Sequence, residues 1–212
     1  MCFSASASFA ASGGLAVIGG ASLVIAQKED KIVAAIPLLF AIQQAFEGIQ
    51  WLYLYSSSYS LLAAYGYLFF TFVVWPIYVP SFVYLLDTKR RNILKYFILL
   101  GATISTYSLF VLFTESLGVS ALKGCVSYTL LSPSAYIVSL SHLVTAAYIF
   151  VILGPLLISS RRVFQYFGMA IFLLAIIAWF FYTSVFVSVW CFFAAIVSAM
   201  FFVYIESEQK GK

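Results

Sequence analysis

Charged side chains are scarce in this sequence. Asp, Glu, Lys and Arg make up 8% of the 212 residues, whereas 64% are hydrophobic, and the mean hydropathy is +1.07. A soluble domain carries about 25% charged residues, so the composition excludes a water-soluble globule and a disordered chain. The length accommodates about seven membrane helices and leaves nothing for a soluble catalytic domain. The sequence therefore predicts one integral membrane domain, covering residues 1–212.

Residues that bind metals are also few. The chain has one histidine, His142, and three cysteines, Cys2, Cys125 and Cys191, without a C-x-x-C or H-x-x-x-H spacing. We therefore expect no metal site and no cofactor. No predicted span has a central lysine, which argues against a retinal Schiff base.

Long apolar runs dominate the rest of the chain. None shows the period-two alternation of a membrane β-barrel, so the fold class is predicted to be all-α, with seven transmembrane helices. The last two spans are the least clearly separated, because only a weak polar signal around Ser188 divides them. The spans are expected at about 8–26, 32–55, 61–86, 93–114, 135–159, 167–187 and 188–205.

The basic residues predict the topology. They follow the first, third, fifth and seventh spans, and only Lys123 lies in a loop on the other side. By the positive-inside rule, the amino terminus is outside and the carboxyl terminus inside. The formal charge of +4 is therefore a topology signal, and we expect no nucleic-acid partner.

All three cysteines map to the outer side of this topology. That side is oxidising, which permits a disulfide between two of the three. The alternative is that Cys2, Cys125 and Cys191 are small buried hydrophobic residues.

A weak internal similarity links the ends of two spans. Residues 82–87 read FVYLLD and residues 202–206 read FVYIE. Two parallel three-helix units joined by an inverted fourth helix would produce such a 3+1+3 repeat, as in some transporters. Chance similarity between apolar segments is the alternative.

The second span carries the acidic residue that we expect to be functional. An ionisable group at membrane depth costs about 2.5–3.5 kcal/mol on insertion scales and is by default a functional hypothesis. Spacings of three and four place polar and aromatic neighbours on the same helix face, which should point to the protein interior. This predicted substrate-binding stripe comprises Gln43, Gln44, Glu47, Gln50 and Trp51. The alternative is that Glu47 only ties helices together through neutral hydrogen bonds.

His142 lies at a similar predicted depth in the fifth span. At 1.5 Å per residue, Glu47 and His142 are about 12 and 10 Å below the outer ends of their helices. Neighbouring helices would allow them to share a proton, with Thr106 as a further lining residue. The alternative is that His142 is a core residue with satisfied hydrogen bonds.

The third span contains two prolines, in the stretch Trp75-Pro76-Ile77-Tyr78-Val79-Pro80. Each proline removes a backbone donor, so this helix is expected to be kinked and to leave carbonyl groups free. Trp75 and Tyr78 are accordingly candidates for lining a substrate cavity, although a kink serves packing equally well.

Three stretches carry a resemblance to a known family. They are the opening MCFSASASF, the run IPLLFAIQQ at 36–44, and EGIQW at 47–51. The sequence resembles a family of small bacterial multi-span membrane proteins known only as a domain of unknown function. The resemblance marks Cys2 and the Gln-Gln-x-x-Glu-Gly-x-x-Trp stretch as hallmarks and implies no activity. It also implies that the protein lies in the inner membrane of a bacterium.

Three functions are compatible with these features. The first is a carrier for a small molecule or ion, coupled to protonation of Glu47. The second is a metal-free intramembrane enzyme acting on a lipid or isoprenoid, with Glu47 and His142 as the catalytic acid and base. The third is a non-catalytic receptor for a hydrophobic ligand. The expected partners are the lipid bilayer and a small-molecule, ion or lipid ligand, and the sequence is compatible with a homo-oligomer.

Overall fold

A computed structural model describes residues 4–210, with side chains to residue 207, and this part of the chain is mostly helical. A two-stranded hairpin, β1 (Leu117–Leu122) and β2 (Cys125–Leu130), interrupts the series of helices. The helices are α1 (Ala5–Ile25), α2 (Lys31–Ala34), α3 (Ile36–Tyr55), α4 (Leu61–Phe69), α5 (Trp75–Leu86), α6 (Arg91–Thr114), α7 (Ala135–Ile158), α8 (Arg162–Tyr182), α9 (Phe186–Ser198) and α10 (Met200–Lys210).

The described residues form six helical segments long and apolar enough to cross a membrane, which is consistent with a membrane protein. Five of them correspond to the first five predicted spans. The sixth covers 46 residues, Arg162–Ser207, where the sequence predicts two spans.

The chain reverses direction within this sixth segment. The indole N–H of Trp190 donates a hydrogen bond of 2.9 Å to the carbonyl of Ile171, whereas one continuous helix would separate these residues by about 28 Å. The reversal lies at the 3₁₀ turn Thr183–Val185, a few residues before the predicted break. Ser188 lies three residues after this turn and is a buried residue of α9.

The region between α6 and α7, expected to be a loop of about 20 residues, contains the β-hairpin. Its two strands are joined by Lys123 and Gly124, whose φ angles are 52° and 73°. Two successive positive φ angles are typical of a type I′ turn, which suits the twist of a two-residue hairpin. The strands are short and apolar, so the sequence pattern did not distinguish them from a loop.

The helices group into two compact units. Unit 1 contains the described residues within Met1–Tyr67, Ser120–Ser127 and Ala170–Lys212. Unit 2 contains Leu68–Val119 and Tyr128–Met169.

In unit 1, small residues on α1 pack closely against α3. The Ser12 hydroxyl donates to the carbonyl of Ala41 at 2.8 Å, and a Cβ at Gly19 would lie only 2.6 Å from the backbone nitrogen of Leu38. Small residues allow the two backbones to approach closely. Close packing of this kind is a main source of helix association in apolar surroundings. The stripe recurs every three or four residues: Ala5, Ser8, Ser12, Leu15, Gly19 and Ser22.

In unit 2, α6 compensates for the irregular backbone around the prolines. A π-helical turn, Phe70–Val74, precedes α5, and the Ser105 hydroxyl of α6 donates to the carbonyl of Val73 at 2.9 Å. Pro80 cannot donate to the carbonyl of Pro76, and Gly101 of α6 packs directly on that carbonyl. The irregular backbone expected in the third span is therefore present, and α6 covers part of it.

Adding a methyl group at position 101 should destabilise unit 2. In Gly101→Ala the new Cβ would overlap the carbonyl oxygen of Pro76, a backbone atom that cannot rotate away. Overpacking of this kind costs about 1–3 kcal/mol or more, so we expect a lower melting temperature in detergent. Gly13→Ala is the matched control, because nothing lies within 4 Å of the added methyl group. Equal stability of the two variants would contradict this packing.

A buried carboxylate connects two loops of unit 2. Asp87, at the end of α5, is 1% exposed and accepts hydrogen bonds on both carboxyl oxygens. The donors are the hydroxyl of Ser159 (2.9 Å), the amide and hydroxyl of Ser160 (both 2.6 Å) and the amide of Lys89 (3.2 Å). Burial opposes ionisation, but these hydrogen bonds outweigh it and lower the pKa of Asp87 below its ordinary value.

The lowered pKa of Asp87 predicts loss of stability in acid. A carboxyl whose pKa is lower in the folded state stabilises the fold above its ordinary pKa of about 4, and this contribution disappears as the pH falls below that value. We expect Asp87→Asn to melt below the wild type at neutral pH, with a gap that narrows toward about pH 3. Glu29→Gln, which alters an exposed acid, is the control. A gap that does not depend on pH would contradict this role for Asp87.

Candidate functional site

Glu47 lies in the middle of α3 and is 1% exposed. Within unit 1, α3 packs against α1 and α9, which explains why about half of its residues are buried. The predicted stripe faces the interior as expected, since Gln43, Gln44, Gln50 and Trp51 are all buried as well.

Two neutral side chains hydrogen-bond to the Glu47 carboxyl. The Ser188 hydroxyl of α9 donates to Oε1, and the Gln44 side-chain amide donates to Oε2 at 3.4 Å. The carboxyl has no ion-pair partner among the Lys residues of unit 1 that the structure describes. A negative charge at this position would be stabilised only by the dipoles of neutral side chains.

Several polar atoms near this carboxyl are buried without a hydrogen-bond partner. On α3 these are Oε1 of Gln44, Nε2 of Gln50 and Nε1 of Trp51, and on α1 the Ser8 hydroxyl. Gln50 uses its other side-chain atom, Oε1, to accept from the backbone amide of Ser60 at 3.3 Å, just before α4 begins. More than 90% of buried polar groups are paired in folded proteins, so four unpaired atoms within unit 1 are unusual.

Helix geometry places three of these groups close to Glu47. Gln44, Gln50 and Trp51 are three or four residues from Glu47 and therefore lie within one turn of it on the same face. Ser8 belongs to the α1 stripe that packs on α3, and the neighbouring Phe9 ring lies against Gly48. The site thus combines a carboxyl group with unpaired donors and an unpaired acceptor.

The other predicted site residues belong to unit 2. Trp75 is buried and Tyr78 half-buried, and their rings meet edge-on with centroids 6.1 Å apart. Thr106 is exposed, and its hydroxyl donates to the carbonyl of Ala102 within its own helix. His142 is exposed on α7. Because Glu47 belongs to unit 1, the shared proton between Glu47 and His142 stays a prediction.

The cysteines differ from one another in environment. Cys125, the first residue of β2, is buried and disulfide-bonded. Cys191 is buried in α9. Cys2 lies outside the described residues, and the predicted pairing stays a prediction.

Sequence reasoning missed two members of the Glu47 site. Ser188 was interpreted as a signal for a turn, although a lone polar residue inside the apolar run FVSVW is equally typical of a helix with one polar contact. Ser8 belongs to the α1 stripe of mostly small residues spaced three or four apart, a pattern that marks a packing face.

Comparison with protein families gives one finding. The model of DUF6629, described as a family of unknown function, matches residues 1–212, which confirms the expected membership of an uncharacterised family. Neither the curated proteins nor the solved structures give a match.

Removing the Ser188 hydroxyl should destabilise the site more than removing a comparable hydroxyl nearby. In Ser188→Ala the buried carboxyl retains only the long hydrogen bond from Gln44, and an unsatisfied buried group costs about 1–3 kcal/mol. Ser198→Ala is the control, because that buried hydroxyl of the same helix donates only to the carbonyl of Ala195. Denaturation in detergent, monitored by tryptophan fluorescence, measures the stability of both variants. Equal effects would argue against a specific Ser188–Glu47 interaction.

Proposed function

We propose that this chain, which belongs to the DUF6629 family of unknown function, is a membrane carrier whose transport cycle is coupled to protonation of Glu47. The observation that carries the proposal is the Glu47 carboxyl itself, buried among neutral partners and next to polar atoms that lack a hydrogen bond.

The charge at the site supports cation coupling. An ionised carboxyl needs an opposite charge when it is removed from water, and the hydrogen bonds from Ser188 and Gln44 supply only dipoles. A bound proton neutralises the group most simply. Loading and release of that proton would then accompany exposure of the site to each side of the membrane.

The unpaired polar atoms support a cycle with more than one conformation. Buried polar groups are almost always paired in folded proteins, so these atoms mark places where hydrogen-bond partners would bind. A conformation that admits water or substrate to Gln44, Gln50, Trp51 and Ser8 would supply those partners. The same atoms suggest the substrate class, a small neutral or zwitterionic molecule with both hydrogen-bond donors and acceptors.

The proposed carrier has seven spans. A segment of 46 residues is about 69 Å long as a continuous helix, far more than the hydrocarbon thickness of about 30 Å. The reversal at Thr183–Val185 supports a division into two spans. With seven spans, Lys28, Arg90, Arg161 and their basic neighbours share one side, which supports an outside amino terminus and an inside carboxyl terminus. The 3+1+3 repeat remains part of this proposal only as a prediction.

The intramembrane enzyme receives less support from the side chains. Acid–base chemistry requires two groups within hydrogen-bond reach of the reacting atoms. The polar groups around Glu47 are amides, hydroxyls and an indole, with no second acid or base among them. These groups form hydrogen bonds to a ligand more readily than they transfer protons.

Infrared spectroscopy tests the coupling without knowledge of the substrate. We expect the pH-difference spectrum of the wild type to contain a band from a protonated carboxyl that titrates and that is absent in Glu47→Gln. Glu29→Gln, which removes an exposed carboxyl, should retain it. A normally folded Glu47→Gln protein with an unchanged spectrum would refute proton binding at Glu47.

Transport itself can be tested in liposomes that contain a fluorescent pH indicator. We expect a solute from a panel of neutral and zwitterionic molecules to drive proton movement through the wild type and Glu29→Gln, and none to do so through Glu47→Gln. Proton movement that persists in Glu47→Gln would exclude the proposed coupling. If Glu47→Gln failed to fold, the group would have the structural role considered as the alternative.

A further inference from the structure

Unit 2 contains a cavity of about 240 Å³ that lies outside the Glu47 site. Its walls come from α6, α7, the base of the β-hairpin, and the end of α4 with the π-helical turn. The lining is mainly apolar, with Phe72, Val111, Leu112 and Val144 among its members. It contains no charged residue.

Three hydroxyl groups of the cavity wall donate hydrogen bonds within the protein. The hydroxyl of Ser141 donates to the carbonyl of Val138, and that of Thr145 donates to the carbonyl of Ser141. Thr129 donates to the carbonyl of Gly118. Tyr107 also lines the cavity, and its hydroxyl is buried without a hydrogen-bond partner.

We infer that this cavity binds a neutral, mainly apolar molecule with one oxygen acceptor, placed to receive a hydrogen bond from Tyr107. The absence of charge in the lining disfavours an ionic ligand, because nothing would replace its hydration. An oxygen atom at the Tyr107 end would satisfy the unpaired hydroxyl. The inference does not depend on the proposed role of Glu47.

The cavity volume limits the size of the ligand. An apolar cavity of about 150 Å³ binds benzene, which has six non-hydrogen atoms. By proportion, a cavity of about 240 Å³ accommodates roughly ten such atoms. A short-chain alcohol, ester or ketone fits this limit, and so does the end of a lipid chain that carries an oxygen atom.

Photolabelling tests the inference in the full-length protein. The probe is an octanol that carries a photoreactive diazirine, and peptide mass spectrometry locates its adducts. We expect saturable labelling of the cavity walls on α6 and α7, with loss of these adducts when unlabelled 1-octanol is in excess. Labelling that spreads over exposed positions and cannot be displaced would overturn the inference.

Two adjacent positions on α7 provide a matched pair of variants. Val144→Trp fills the cavity and should abolish the saturable adducts, whereas Leu143→Trp places the same ring at a residue that is 66% exposed and should leave them unchanged. Equal labelling in both variants would contradict binding in the cavity. Melting curves verify that each variant is folded.

Tyr107→Phe tests the polar contact with little change of volume. Removing one neutral hydrogen bond should weaken displacement by 1-octanol about two- to tenfold and leave displacement by octane unchanged. An equal effect on both competitors, or none on either, would refute the role of the Tyr107 hydroxyl. This measurement also keeps the inference testable if Val144→Trp does not fold.

A comparison of two environments identifies the source of the ligand. The labelling is repeated in detergent micelles and in nanodiscs of a phosphatidylglycerol with palmitoyl and oleoyl chains. Adducts that survive in nanodiscs support a free small molecule. Adducts seen in micelles and lost in nanodiscs support the same site occupied by a lipid chain. The absence of saturable adducts in both environments would overturn the proposal.

Discussion

The hydrocarbon core of a membrane offers no hydrogen bonds, so each polar group on these helices needs a partner within the protein. Several hydroxyl groups meet this requirement locally, as when Thr103 donates to the carbonyl one turn earlier in α6. Where the helix is irregular, a neighbouring helix supplies the partner. Ser105 takes this role at the π-helical turn, and four donors surround Asp87 in the connecting loops.

The Glu47 site is notable because it meets the same requirement only in part. One side of the carboxyl is fixed by Ser188 and the other weakly by Gln44, while donors on Gln50 and Trp51 remain unpaired. Asp87, by contrast, accepts four hydrogen bonds, which stabilise the connection between the two loops. The hydrogen-bonding groups around Asp87 are therefore paired, whereas several around Glu47 are not. Glu47 is for this reason the better candidate for function.

The units differ in the chemistry that they enclose. Unit 1 buries a stripe of amides, an acid and an indole along α3, close to the small residues of α1. Unit 2 encloses an uncharged cavity next to the hairpin. A polar solute would suit the first environment and an apolar one the second, so the two proposals concern chemically distinct environments.

Composition and spacing determined the helical membrane class, the approximate positions of the helices and the inward face of α3. These are local properties, because about 20 apolar residues suffice for a span and a period of 3.6 residues sets a face. Tertiary structure decided which groups meet. Ser188 contacts Glu47 across 141 positions of sequence, and Ser105 reaches the carbonyl of Val73. No local pattern encodes these contacts, because each depends on how two separate helices pack against one another.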